Sequence, residues 1–384
     1  MRVGILTLPL HTNYGGILQA YALQTVLERM GHEVDVIDAP LRLVHLSRKR
    51  RILSFSKRFF QHYIQGKKYI SLDRIKTEYK KSKASRVLTD KFIKKYIHQR
   101  VLNSLNNIKP TDYDAIVVGS DQIWRTSYGN KWEGQKADDV FLGFTKGWNI
   151  KRIAYAPSFG IDHVEIQSKD MQSCIEALKL FNAVSVREES GVSICKQTLG
   201  VDAVWLPDPT LLLSREDYIK IVNDYTGGIN ANSKGFLLSY ILNDTPEKSA
   251  IRNLIAREKG LEINITNKAD NWKEGQPIIP QPPVENWLQA FENCNYVVTD
   301  SFHACVFSII FHKQFTVIPN KGRGIDRFDS LLKMFGLEDR LINNPSEYKN
   351  LPDIDYENID KILGIKQEQA KKFLRDALKN NIID

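Results

Sequence analysis

A short apolar strand that runs into a glycine pair and then a helix constrains this chain more than any other feature. Residues 2 to 8 include Val3-Gly4-Ile5-Leu6, apolar on both sides of the pleat, as a strand covered on both faces must be. Gly15-Gly16 follow, and Ile17, Leu18, Tyr21, Leu23, Leu27 and Met30 then recur at helical spacing up to Gly31, a suitable helix C-cap. Glu33-Val34-Asp35-Val36-Ile37-Asp38 reads as the next strand. The chain therefore opens as a β-α-β unit, which requires a parallel sheet with helices on its faces.

The same rhythm returns through most of the sequence. Strands are expected at 114–118, 152–156, 183–187, 204–206, 235–241, 262–265, 296–299 and 315–318. Helices are expected at about 164–181, 190–199, 247–259, 287–292 and 303–311. Gly227 to Ser233 is the most linker-like stretch, and a second boundary is sought near residue 200. At 384 residues the chain fits two domains better than one core. The expected fold class is α/β: a Rossmann-like domain over 1–200, a second over 201–384 ending in a C-terminal helix, and a cleft between them.

Residues 42–100 break the rhythm and read as a basic helical insertion in the first domain. They carry 19 lysines and arginines against three acids, Asp73, Glu78 and Asp90, while the whole chain has a net charge of +9, so the remainder is net negative. Such asymmetry suits an anionic partner: a membrane surface, a nucleic acid or a diphosphate-linked substrate. Phe59, Phe60, Tyr63 and Tyr69 in this segment are expected on the buried face of amphipathic helices. No nucleic-acid motif accompanies them, and no nucleic-acid partner is expected.

With 42% hydrophobic and 26% charged residues the composition is that of a folded globular protein. The first residues, broken by Pro9 and His11, read as neither signal peptide nor membrane span, and no stretch reaches 18 apolar residues. Cys174, Cys195, Cys294 and Cys305 are widely spaced, which suggests neither a zinc site nor a disulfide framework but buried thiols in a reducing cytoplasm.

In open α/β sheets ligands bind beyond the carboxyl ends of the strands, where helix N-termini attract anions. Polar residues at those ends are the candidates: His11, Asn13, Tyr14, Gly15 and Gly16; Ser120, Asp121 and Gln122; Ser158 and Gly160; Arg187 and Glu188; Asp208; Asp300, Ser301 and His303; Asn320, Arg323 and Arg327. Asn13-Tyr14-Gly15-Gly16 lacks the GxGxxG spacing and a P-loop lysine, so it is either a tight turn or a ligand contact. His303 could donate to an anion or carry a proton, or be a core histidine. Arg187 could grip a carboxylate or phosphate bidentately, or pair with Glu188 or Glu189. Asp208, between Pro207 and Pro209, is either a catalytic carboxylate or a cap for Thr210, and Asp121 shares that ambiguity.

Several of these segments together resemble the polysaccharide pyruvyl transferase family, over Gly4 to about Ile342. They are Asn13 to Gln24, Val118-Gly119-Ser120-Asp121-Gln122-Ile123-Trp124, Ser185-Val186-Arg187-Glu188, Asp208-Pro209-Thr210-Leu211-Leu212, Thr299-Asp300-Ser301-Phe302-His303 and Gly324-Ile325-Asp326-Arg327-Phe328. The resemblance implies a fold like the GT-B glycosyltransferases and transfer of a pyruvyl unit from phosphoenolpyruvate, as donor substrate, to a sugar in cell-surface or exopolysaccharide synthesis. It implies no further cofactor and no metal in the site.

By the resemblance, Arg187 and His303 hold the donor; Arg327 and Ser301 are further donor-side candidates, and the acid and base that ketal formation needs are sought in His303 and in Asp121 or Asp208. Asn13, Tyr14, Gly15, Gly16, Ser120, Gln122, Ser158 and Asn320 line the acceptor side or the cleft. Many members carry Arg-Leu before the histidine where this chain has Ser301-Phe302, so one cation is missing. A GT-B glycosyltransferase using a nucleotide sugar is the alternative activity. A lipid-linked sugar acceptor and peripheral contact with an anionic membrane, at the inner face of the plasma membrane, are further expectations.

Overall fold

Every strand of the computed structural model pairs in parallel, in two separate sheets. The structure describes residues 1–39, 48–67, 71–126, 135–225, 235–266, 276–320, 324–348 and 351–379. The first sheet contains β1 (Arg2–Leu6), β2 (Glu33–Asp38), β3 (Gln99–Val101), β4 (Ala115–Val118), β5 (Lys151–Ala154), β6 (Ala183–Val186) and β7 (Val204–Trp205), in the order β3-β2-β1-β4-β5-β6-β7. The second contains β8 (Phe236–Tyr240), β9 (Glu262–Ile265), β10 (Tyr296–Thr299) and β11 (Gln314–Val317), in the order β11-β10-β8-β9.

The helices used below are α1 (Tyr14–Arg29), α2 (Arg48–Phe59), α3 (Arg74–Arg86), α4 (Thr89–Tyr96), α5 (Ser168–Leu178), α6 (Glu189–Ser193), α7 (Arg215–Asn223), α8 (Pro246–Lys259), α9 (Val284–Asn293), α10 (Phe302–Ile310), α11 (Asp326–Phe335) and α12 (Tyr356–Leu378). The central strands β1, β4, β8 and β10 are buried almost throughout, as the apolar runs predict for parallel strands covered on both faces. Gly31 closes the turn after α1 with φ +86°, a conformation that glycine adopts without a Cβ penalty.

Each sheet has one place where the direction of strand addition reverses. In the first it lies between β1 and β4, where Val3 is in register with Ala115 and Leu6 with Val118. In the second it lies between β8 and β10, where Leu237 faces Tyr296 and Tyr240 faces Thr299. The loops leaving two such neighbours depart to opposite faces of the sheet and open a crevice. The loop after β1 meets the loops after β8 and β10, so the crevices join between the sheets.

One hydrophobic cluster runs through both halves, from Val3, Ile17 and Leu23 to Leu238, Trp287 and Phe307. Tyr14 stacks on Trp287 with ring centroids 5.2 Å apart and donates its hydroxyl to the Pro282 carbonyl at 2.8 Å. Arg29 of α1 forks onto Asp217 of α7 through bonds of 3.1 and 2.6 Å. Helix α12 starts beside the second sheet, where Tyr356 stacks on His312, and ends against the first, where Phe373 meets Tyr155 and Lys151 reaches the Ala377 and Lys379 carbonyls.

The basic insertion is helical over α2, α3 and α4, but its end is not. Gln99–Val101 pairs beside β2 as β3 and becomes the sheet edge, because Val36, Ile37 and Asp38 need a ladder partner on that side. Phe59, Phe60 and Tyr63 are exposed, contrary to the amphipathic expectation. Tyr69, the Gly227 to Ser233 linker and Arg323 lie outside the described residues. The four cysteines are free and buried, and burial pushes the Cys174, Cys195 and Cys294 thiols up to about 12. No described helix is long and apolar enough to cross a membrane.

Candidate active site

Helices α1 and α10 point their N-termini into the joined crevice, a cleft of about 400 Å³ lined by His11, Thr12, Asn13, Gly15, Tyr240, Leu242, Asn243, Trp287, Ser301 and His303. That volume is of small-molecule size. Neither helix has a side-chain cap: Asn13 and Ser301 occupy the N-cap positions without bonding the first turn, and neither first turn contains an acid. Their amide N–H groups and dipoles therefore favour an anion at the cleft end of each helix. The helices meet so closely that a Cβ on Gly15 would lie 2.0 Å from His303 Nδ1. Only glycine permits that approach.

Behind His303 lies a buried chain of charges. Asp208 Oδ2 accepts from Arg187 Nη1 at 2.8 Å and Ser120 Oγ at 3.0 Å, and stands 3.5 Å from His303 Nε2. Its Oδ1 accepts from the Thr210 amide at 3.0 Å and hydroxyl at 2.7 Å. Burial alone would raise this carboxyl, but His303 and Arg187 outweigh it and hold it well below the usual carboxylate range. Asp208 thus caps Thr210 and faces the histidine at once. His303 Nε2 itself makes no hydrogen bond among the described residues, since 3.5 Å to Asp208 is too long for a well-made one.

Arg187 is 3% exposed and lies outside the cleft lining. Its Nε contacts Glu188 Oε1 at 3.3 Å, and its Nη2 has no hydrogen-bond partner among the described residues. Glu188 also accepts from Ser158 Oγ at 2.6 Å, and burial pushes its carboxyl up despite Arg187 and Ser158. Glu189 instead pairs with Lys333. The Arg187 guanidinium lies 4.3 Å from the centre of the Phe302 ring, and that of Arg327 lies 5.5 Å from it. The aromatic ring of Phe302 thus holds two cations on its π-system.

The remaining candidates divide by position. Asn13, Gly15, Ser301 and His303 are in the cleft wall; Tyr14 is its buried support; Ser120 and Ser158 stand behind with Asp208 and Arg187. Gly16 packs against Asn13 and Asp121, and Asp121 takes φ +72° at the end of β4 while its side chain accepts from the Gln122 amide. Gln122 turns toward Arg125 and Gly160. Asn320 bonds Asn243 and Asp300, and Asp300 also holds the Leu242 and Asn243 amides and Lys248. That carboxylate braces the β8 loop from behind.

His11 accepts the Thr12 amide on Nδ1 at 2.6 Å, so its hydrogen sits on Nε2. Burial, and then Arg86, lower it from its ordinary value against the pull of Asp121, and it faces the cleft as a neutral donor.

Sequence reasoning missed Thr12, Tyr240, Leu242, Asn243 and Trp287. The strand-end rule applied to β8 would have found Leu242 and Asn243. Trp287 carried no such signal, for an aromatic inside an apolar helix reads as core.

Among solved structures the chain is similar to UDP-GlcNAc 2-epimerase from Neisseria meningitidis bound to UDP-GlcNAc, at 9% identity and TM-score 0.45, covering 99% of this chain and 95% of that one. It is also similar to Arabidopsis thaliana UGT89C1 complexed with UDP-L-rhamnose, at 10% identity and TM-score 0.48, covering 97% and 98%. Acinetobacter baumannii MurG aligns at 10% identity and TM-score 0.38, covering 98% of each chain. No curated protein shows significant sequence similarity. The polysaccharide pyruvyl transferase family model matches residues 13–322, which begin at the uncapped start of α1 and include His303, Asp208 and Arg187, and the chain belongs to that family.

Proposed function

We propose that the protein moves the pyruvyl unit of phosphoenolpyruvate onto two hydroxyls of a sugar, forming a ketal and releasing phosphate, in the synthesis of a cell-surface or exopolysaccharide. The observation that carries this reading is His303, in the cleft wall between two uncapped helix N-termini, with the ionised Asp208 behind it. The donor brings a phosphate and a carboxylate, and α1 and α10 each offer a site for one anion. His303 delivers a proton to the methylene carbon, which becomes the methyl group. One sugar hydroxyl then adds to the adjacent carbon. Phosphate leaves as the second hydroxyl adds; of the two hydroxyl protons one returns to the His303 imidazole and the other departs on the phosphate.

Asp208 orients the imidazole in this scheme. Arg187 has two nitrogens engaged by carboxylates and lies outside the cleft lining, so its part is to fix Asp208. Asn13 and Asn243 supply polar edges for the acceptor. The test is phosphate release from phosphoenolpyruvate against a panel of sugar acceptors, free and lipid-linked, with the new ketal methyl followed by NMR. His303→Ala should lower turnover by on the order of 100-fold or more with its circular dichroism unchanged. Consumption of a nucleotide sugar, with no phosphate released from phosphoenolpyruvate by any acceptor, would replace this reading with glycosyl transfer.

A further inference from the structure

The basic insertion carries a helix whose amphipathicity is inverted. In α2 and the π-helical turn Phe60–Ile64 that continues it, Ile52, Leu53, Phe55, Phe59, Phe60, Tyr63 and Ile64 are all exposed, with Ile52 at 66%, Leu53 at 69% and Ile64 at 66%. At about 3.6 residues per turn they cover about half of the circumference. The polar side is the more covered one: Ser54, Arg58, Gln61 and His62 are partly covered, and Arg58 Nη1 donates to the Ser71 carbonyl of the same insertion at 2.6 Å. An ordinary surface helix buries its apolar stripe and shows its polar face. Here Phe55, Phe59 and Tyr63 instead form an outward aromatic row, with centroids 6.5 and 4.6 Å apart.

We infer that α2 and its continuation are a docking surface for an anionic lipid bilayer. Charge selects this occupant, because the apolar face belongs to a segment with 19 basic and three acidic residues on a chain whose remainder is net negative. Lys57 on α2 is exposed, as are Lys76, Lys80 and Lys83 on α3 of the same segment. A nucleic acid would use the charge but leave Ile52, Leu53 and Ile64 in water, whereas a bilayer interface takes basic groups at the headgroups and aliphatic and aromatic groups just beneath. The inference does not depend on the reaction proposed above.

The full chain should co-sediment with vesicles of phosphatidylcholine mixed with phosphatidylglycerol, and much less with phosphatidylcholine alone. High salt should weaken the binding. Phe55→Ser with Phe59→Ser should reduce it by roughly tenfold or more, and Lys57→Glu by a few-fold, with circular dichroism unchanged because these side chains are exposed. Equal, negligible sedimentation with both vesicles would overturn the inference. So would binding that is indifferent to the phenylalanine pair, self-association through this face in sedimentation velocity, or preferential binding to single-stranded nucleic acid.

Discussion

Asp208 has five neighbours for two oxygens: the Thr210 amide and hydroxyl on one, Ser120, Arg187 and His303 on the other. Replacing it with asparagine keeps the shape and removes the charge that Arg187 and His303 face. Breaking a buried pair in this way costs about 3–5 kcal/mol, which urea unfolding at neutral pH should show. The pH dependence has a definite sign. The folded carboxyl titrates below its unfolded value, so the wild-type advantage is full above the ordinary carboxylate range and is lost only as pH falls through the lower folded value. The gap between wild type and Asp208→Asn should hold from pH 8 to about 4 and narrow below that. From the sequence, a rigid turn around this residue was legible in its two flanking prolines. Its partners were not, because Arg187 is 21 residues away and Ser120 is 88, and only the sheet brings those strand ends together.

The N-termini of α1 and α10 work as one unit because Gly15 allows His303 to lie against the helix backbone. Intrinsic helix propensity alone would make Gly15→Ala stabilising by about 1 kcal/mol. The contact reverses the sign: a Cβ 2.0 Å from the imidazole must displace it, and overpacking of this kind costs about 1–3 kcal/mol. Gly364, in α12, has nothing within 4 Å of its Cβ position, so Gly364→Ala should raise the melting temperature while Gly15→Ala lowers it and removes transfer activity. Elements were the most legible level of this protein. The β1, α1, β2 opening follows from apolar period and glycine placement, and strands β4, β8 and β10 follow from short apolar runs. Three features escaped: the nine-residue α7 was not among the expected helices, β3 is a three-residue edge strand with little apolar signal, and the orientation of α2 depends on what the rest of the chain covers, which periodicity does not encode.

At the scale of the molecule, the two sheets share a hydrophobic cluster and α12 touches both, so separate unfolding of the halves would expose Tyr14, Trp287, Phe307 and Leu374 to water. Calorimetry should therefore record one transition. Leu374→Ala removes a fully buried side chain at a cost of about 2–5 kcal/mol, and it should move that transition down without splitting it. Two resolved transitions would mean that the shared cluster does not couple the halves.

The thiols have a practical consequence. All four are enclosed, and burial holds them in the protonated form, while the nucleophile in alkylation is the thiolate. A maleimide dye offered to the native fold should find nothing to attack. A single cysteine introduced on the outer face of α2, or at the rim of the cleft, would then carry the only attached dye, with Cys174, Cys195, Cys294 and Cys305 left in place.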